Sequence, residues 1–131
     1  MAAVLVGVFG MAGALLRFAV DSWFAHRSGR PGAVGPSGTP RHWPWATLTV
    51  NVTGCLIIGL SIGITGRLSL APEWQAAVAT GLAGGLTTFS SWTTATVRLL
   101  SESRFGAAAL NVGANLAAGL AAAAAGIALA S

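Results

Sequence analysis

Four apolar stretches, each long enough to cross a lipid bilayer, take up most of this chain and decide what it can become. They run from about Val4 to Phe24, Trp45 to Gly66, Glu73 to Leu100 and Phe105 to Leu129. A membrane-spanning helix needs about 20 residues, so four spans and their connections fill the 131 residues and leave nothing for a separate soluble domain. Composition agrees: mean hydropathy is +0.74, 54% of residues are apolar and 8% are charged. A soluble domain this small would need a far more polar surface. The expected fold is an all-α integral membrane protein, with one four-helix transmembrane domain over residues 1–131.

The charges narrow the partners. Seven arginines and no lysine stand against Asp21, Glu73 and Glu102, for a net charge of +4. There is no basic stripe and no soluble fold to carry one, so nucleic acid is not an expected partner. The single cysteine, Cys55, lies inside an apolar span, which excludes a disulfide framework and a Cys-based metal signature. No basic side chain precedes Val4 and Arg17 interrupts the first apolar run, so the first span is expected to be retained rather than cleaved as a signal peptide. The linker from about Ala25 to Pro44 is rich in Gly, Pro, Ser and Arg and is expected to be irregular and solvated. Its two histidines, His26 and His42, read as loop residues without a metal role.

The segment with functional content is Gly81-Leu-Ala-Gly-Gly-Leu-Thr-Thr-Phe-Ser-Ser-Trp-Thr-Thr94, a glycine break followed by a run of hydroxyls. The third helix is expected to break near Gly84-Gly85. Non-helical backbone at membrane depth persists only where protein buries it or where it lines a wet cavity, so the break points to a site for an ion or polar solute. Two further polar features lie inside spans. Asn51 sits in the second, where a carboxamide is either structural glue or a solute contact. Asn111, Asn115 and Gly119 recur every four residues on one face of the fourth, and such a stripe faces protein or water rather than lipid. Phe89 and Trp92, three apart, share a helical face; they read either as core or lipid-facing aromatics or, among the hydroxyls, as pore lining. Gly7, Gly10 and Gly13 in the first span and Gly59 and Gly63 in the second mark faces for close helix packing.

If these features converge, they form a track of hydrogen-bond donors across the membrane. Apart from Arg17, the interiors of the spans carry no ionisable group. A proton-coupled antiporter would need an intramembrane carboxylate, whereas an anion conduit works with amides, hydroxyls and the positive edges of aromatic rings. A small antiparallel four-helix exporter and a non-transporting assembly subunit are the alternatives. The first lacks its glutamate, and the second needs neither the break nor the polar stripe. No nucleophile–base pair suggests an enzyme.

The run Gly84-Gly85-Leu86-Thr87-Thr88-Phe89-Ser90-Ser91-Trp92 resembles the GGxTTFSTF signature of the CrcB (Fluc) fluoride channels. Gly10-Met-Ala-Gly13-Ala-Leu-Leu-Arg17-Phe18 resembles that family's first-helix GxxGAxxR(F/Y). Asn51-Val-Thr-Gly54-Cys resembles its NxxG(S/C), and Asn111, Asn115 and Gly119 fall where it shows Tyr or Asn, Ser, and Gly. The resemblance covers nearly the whole chain except the linker. It implies a passive fluoride channel in the cell membrane, built as an antiparallel dimer with two pores. It further implies a structural, untransported Na+ held by the backbone carbonyls of Gly84 and Thr87. Fluoride would pass Asn51, Thr88, Phe89, Ser90, Trp92, Asn111 and Asn115, and Arg17 would stand near the vestibule or act as an anchor. Trp92 replaces the family's second box phenylalanine, and Asn111 and Asn115 replace the usual Tyr and Ser; each keeps a donor.

Loop charge sets an expected orientation. Arg27, Arg30, Arg41, Arg98 and Arg104 flank the first and third loops, and Arg67 alone flanks the second. The positive-inside rule then places the first and third loops in the cytoplasm and both termini outside. A bias of five to one favours a single orientation, so an antiparallel dimer could require an oppositely oriented homologue as partner.

Overall fold

The computed structural model describes residues 1–28 and 43–131. Most of the linker, with His42, lies outside the described residues. Helix α1 spans Ala2–Ser28, α2 Trp45–Leu68 and α6 Phe105–Ala130. All three are long and apolar enough to cross a membrane. The remaining pass is pieced together from α3 (Pro72–Gln75), a π-helical stretch (Ala76–Ala83), α4 (Gly84–Leu86) and α5 (Phe89–Ser101).

Local chemistry explains the ends. Helix α1 runs four residues past the expected end at Phe24, because His26 and Arg27 in its last turn favour a helix C-terminus. His26 is therefore helical rather than part of a loop, and its Nδ1 donates to the Ser22 carbonyl at 2.7 Å. Arg27 lies 4.1 Å over the Trp23 ring. Helix α2 stops at Ser69, whose φ of 50° takes the left-handed form that closes helices. Pro72 then starts α3 with Glu73 in its first turn, the favoured placement for both residue types. Beyond α5, Glu102 accepts from Arg98 at 3.0 Å and from Arg104 at 3.3 Å. Those two guanidinium groups, Arg98 first, hold its carboxyl below the usual range.

Two glycine seams hold the bundle. Helices α2 and α6 form the most extensive pair. A Cβ on Gly59 would overlap the Ala123 carbonyl oxygen, and one on Gly126 would sit 2.6 Å from the Leu56 carbonyl oxygen. Helix α1 packs in the same way on the π-helical stretch and α4. There a Cβ on Gly13 would overlap the Leu82 carbonyl oxygen, and one on Gly85 would overlap that of Gly10. With apolar side chains such as Leu15, Phe18, Leu110 and Leu120 turned outward, the hydrophobic effect gives no force between helices in lipid. Close backbone packing and hydrogen bonds supply it instead.

The break is displaced from Gly84-Gly85. Gly84 is helical, with φ −64° and ψ −39°, and the extended residues are Thr87 and Thr88. Gly85 is needed for contact with α1 rather than for a turn.

The seams should be intolerant of even one carbon. Gly59→Ala is expected to cost about 1–3 kcal/mol by overpacking. Gly113→Ala, with nothing within 4 Å, should be neutral or stabilising by up to about 1 kcal/mol. Thermal unfolding of the two variants in one detergent measures the contrast.

Candidate functional site

At the break the helical ladder is interrupted between α4 and α5. The Thr87 N–H still reaches the Ala83 carbonyl at 2.9 Å. The next amide, that of Thr88, would close on Gly84 in a continuing helix. It donates instead to Asn51 Oδ1 at 2.8 Å, and Asn51 Nδ2 donates back to the Thr88 carbonyl at 3.3 Å. One carboxamide thus satisfies both polar groups of an extended, buried residue (φ −147°, ψ 117°). Helix α5 then restarts on Thr88, whose Oγ1 accepts the Ser91 N–H at 3.2 Å. A threonine in this role meets one of the orphan donors of a helix start. The Ser90 and Ser91 hydroxyls lie 3.3 and 3.1 Å from the same oxygen, making a three-hydroxyl cluster.

The interruption releases carbonyl oxygens. Gly84 O, deprived of the Thr88 N–H, has a 3.5 Å contact from Thr87 Oγ1. Thr87 O accepts Arg17 Nη1 at 3.3 Å. Arg17 stands one turn beyond Gly13, so the α1 seam delivers its guanidinium to the break. A cation there also suits the negative end of the π-helical and α4 run.

Behind Asn51 lies a relay of polar groups. Asn51 Nδ2 donates to Asn115 Oδ1 at 3.0 Å. Asn115 Nδ2 donates to the backbone and side-chain oxygens of Asn111 at 2.9 and 3.2 Å. Asn111 Nδ2 donates to Thr96 Oγ1 at 2.9 Å, and the Thr96 hydroxyl donates to the Trp92 carbonyl at 2.8 Å. Trp92 Nε1 closes the circuit on the Asn111 carbonyl at 3.3 Å. Asn111 is 0% exposed and Asn115 8%. Among the described residues no buried side-chain nitrogen or oxygen lacks a partner.

The expected site residues therefore divide. Asn51, Thr87, Thr88, Trp92, Asn111, Asn115 and Arg17 converge on the break. Phe89 points outward from it, with 72% of its surface exposed, while Gly84 and Ser90 are exposed at its edge, Ser90 with its hydroxyl still on Thr88 Oγ1. The Phe89 and Trp92 rings meet edge to face at 5.6 Å between centroids. Ser90, Ser91 and Thr94 line a cavity of about 800 Å³ with Asp21, Trp43, Trp45 and Arg98 at the end of the bundle where α1 finishes and α2 begins. Sequence reasoning missed Thr96, the link between the asparagines and Trp92; its position four residues after Trp92 was the available signal.

Removing the start signal of α5 should be measurable. Thr88→Ala is expected to cost about 1 kcal/mol of stability, while Thr88→Ser should retain most of it. Thermal unfolding in detergent checks the difference.

Comparison with known proteins identifies the family. Residues 4–127 match the family described as CrcB-like protein, Camphor Resistance (CrcB). A curated relative from Renibacterium salmoninarum, named fluoride-specific ion channel FluC, is 47% identical over 130 residues, 99% of each chain. Relatives of the same name from Pseudomonas putida and Stutzerimonas stutzeri are 45% and 39% identical. They cover 78% and 98% of this chain and 73% and 95% of their own lengths. A match of this extent to the family model, joined to these relatives, makes the chain a member of the CrcB family.

Proposed function

We propose that this chain is a subunit of a fluoride-selective channel that lowers cytoplasmic fluoride by passive export across the cell membrane. The observation that carries the reading is the break at Thr87-Thr88, which sets neutral hydrogen-bond donors at membrane depth in a family whose relatives are named fluoride-specific channels. No chemical step is involved. Fluoride enters cells as neutral HF and is trapped as the anion at cytoplasmic pH. The negative-inside membrane potential then drives it out through a selective pore. Selectivity over chloride requires close, dry coordination, since a loose aqueous pore would pass both ions.

The path in this reading runs from the cavity beside Asp21 and Arg98 to the hydroxyls of Ser90 and Thr88. It continues past the ring edges of Phe89 and Trp92, with Asn51 at its inner end. An exposed phenylalanine beside an exposed serine on a membrane helix is a surface that a second copy would cover, which favours a dimer, antiparallel as the family resemblance implies. The outward leucines and Phe18 supply the lipid contact. Five loop arginines against one favour termini outside and the first and third loops in the cytoplasm. A chain so biased would pair with an oppositely oriented homologue wherever the antiparallel arrangement is required.

The Gly84 and Thr87 carbonyls fit a structural sodium ion by their chemistry. Both oxygens are released from the helical ladder, and hard cations take oxygen ligands. The ion would supply positive charge at a helix end inside the membrane. Arg17 already places one cation on the Thr87 oxygen, so the two charges would share that oxygen.

Proteoliposomes containing this chain alone, read with a fluoride electrode against a chloride control, test the proposal. Rapid efflux of fluoride without chloride is expected. Phe89→Ala should slow it by at least about tenfold, equivalent to about 1.4 kcal/mol. Chloride efflux equal to that of fluoride would sink the selective-channel reading. If efflux appears only after an opposite-orientation homologue is added, the functional unit is a heterodimer. Protease-sensitive tags at both termini in intact cells report the orientation, and cleavage from outside is the expected result.

A further inference from the structure

We infer that Asn111 and Asn115 are positioning residues, which hold the broken segment through Asn51 and orient the Trp92 ring, and do not themselves touch the permeating ion. This rests on the channel reading above and narrows its path. Three observations carry it.

The first is burial. Asn111 has no exposed surface and Asn115 almost none in the isolated chain. Lipid or a second subunit can only add cover. The groups packed on these amides are Asn51 of α2 and Trp92 and Thr96 of α5, which an ion would have to displace to reach them.

The second is the account of donors. Asn51 Nδ2 gives one bond to Thr88 O and one to Asn115 Oδ1. Asn115 Nδ2 gives both of its bonds to Asn111, and Asn111 Nδ2 reaches Thr96. Asn115 thus has no N–H left for an anion without leaving another buried group unsatisfied, and such a group is costly. Asn111 keeps a second N–H, but on a residue with no exposed surface, whereas Asn51, though paired, is only part-buried.

The third is direction. Asn115 presents an oxygen to Asn51, which forces the Asn51 nitrogen toward α6 and leaves its oxygen to accept the Thr88 N–H. With the Asn51 carboxamide reversed, two carbonyl oxygens would face each other and the Thr88 amide would lose its acceptor. At the far end, the Asn111 carbonyl takes the Trp92 indole N–H, and Thr96 ties Asn111 to the Trp92 carbonyl. Helix α6 thus sets the geometry of both Thr88 and Trp92 without lining the path.

A double-mutant cycle decides between positioning and contact. Fluoride efflux is measured for Asn51→Ala, Asn115→Ala and the double variant in proteoliposomes. Acting through Asn51, Asn115 should cost about tenfold alone and nothing further once Asn51 is gone. Independent contact with fluoride would multiply the losses to about a hundredfold and overturn the inference. Amide hydrogen exchange at Thr88 in the Asn115→Ala variant gives a second readout that needs no conduction. Exchange about tenfold faster at Thr88, with α1 amides unchanged, is expected when its acceptor loosens. Unaltered exchange at Thr88 would sink the relay. A wild-type chain that passes no fluoride, alone or with an opposite-orientation homologue, would count against the channel reading, while the exchange measurement still decides the relay.

Discussion

The structure depends on one hydrogen-bond exchange: the Thr88 amide leaves its place in the helical ladder and binds the side chain of Asn51. In hydrocarbon an unsatisfied backbone group costs several kcal/mol, so a helix cannot be interrupted at that depth unless something replaces the missing rung. Asn51 replaces it from both sides, taking the N–H and returning a donor to the carbonyl. The other features of the site gather around that exchange. The Gly84 and Thr87 oxygens are released, Thr88 becomes free to cap α5, and the hydroxyls of Ser90 and Ser91 gather around it.

That exchange needs neighbours held at short range, and the glycine seams provide them. Gly10, Gly13, Gly81 and Gly85 let α1 lie backbone to backbone on the pieced-together pass, which brings Arg17 within reach of Thr87. A Cβ on Gly54 would overlap the Thr87 side chain, so α2 must be bare at this level for Asn51, one turn earlier, to meet Thr88. The packing face and the polar site are therefore parts of one arrangement: small residues bring the helices together, and the closeness makes the side-chain hydrogen bonds possible.

The polarity of the site is neutral except for one cation. Amides, hydroxyls and ring edges can meet an anion without the desolvation cost that a buried charge carries. Arg17 sits where a helix ends inside the bundle and answers the negative end of its dipole. The carboxylates stay at the ends of the bundle: Asp21 at the cavity mouth, and Glu102 between Arg98 and Arg104 in the third loop.

Much of this was legible in the residues alone. Four long apolar runs determine an all-α membrane chain, because hydrocarbon admits no open backbone and so leaves helices as the economical solution. Hydroxyls after glycines in the third run, Asn51, and the Asn111–Asn115 spacing mark where polar groups must be buried together. Only the tertiary structure decided how they are joined. Of the two glycines read as the break, Gly85 proved to be part of a packing face, meeting α1 at backbone distance while remaining helical. The true break moved to Thr87-Thr88 because the competing acceptor comes from Asn51, on another helix and 37 residues away. Thr96 and the Trp92 indole entered the relay for the same reason. A hydrogen bond between helices depends on their relative height and rotation, which side-chain packing sets and no local pattern records.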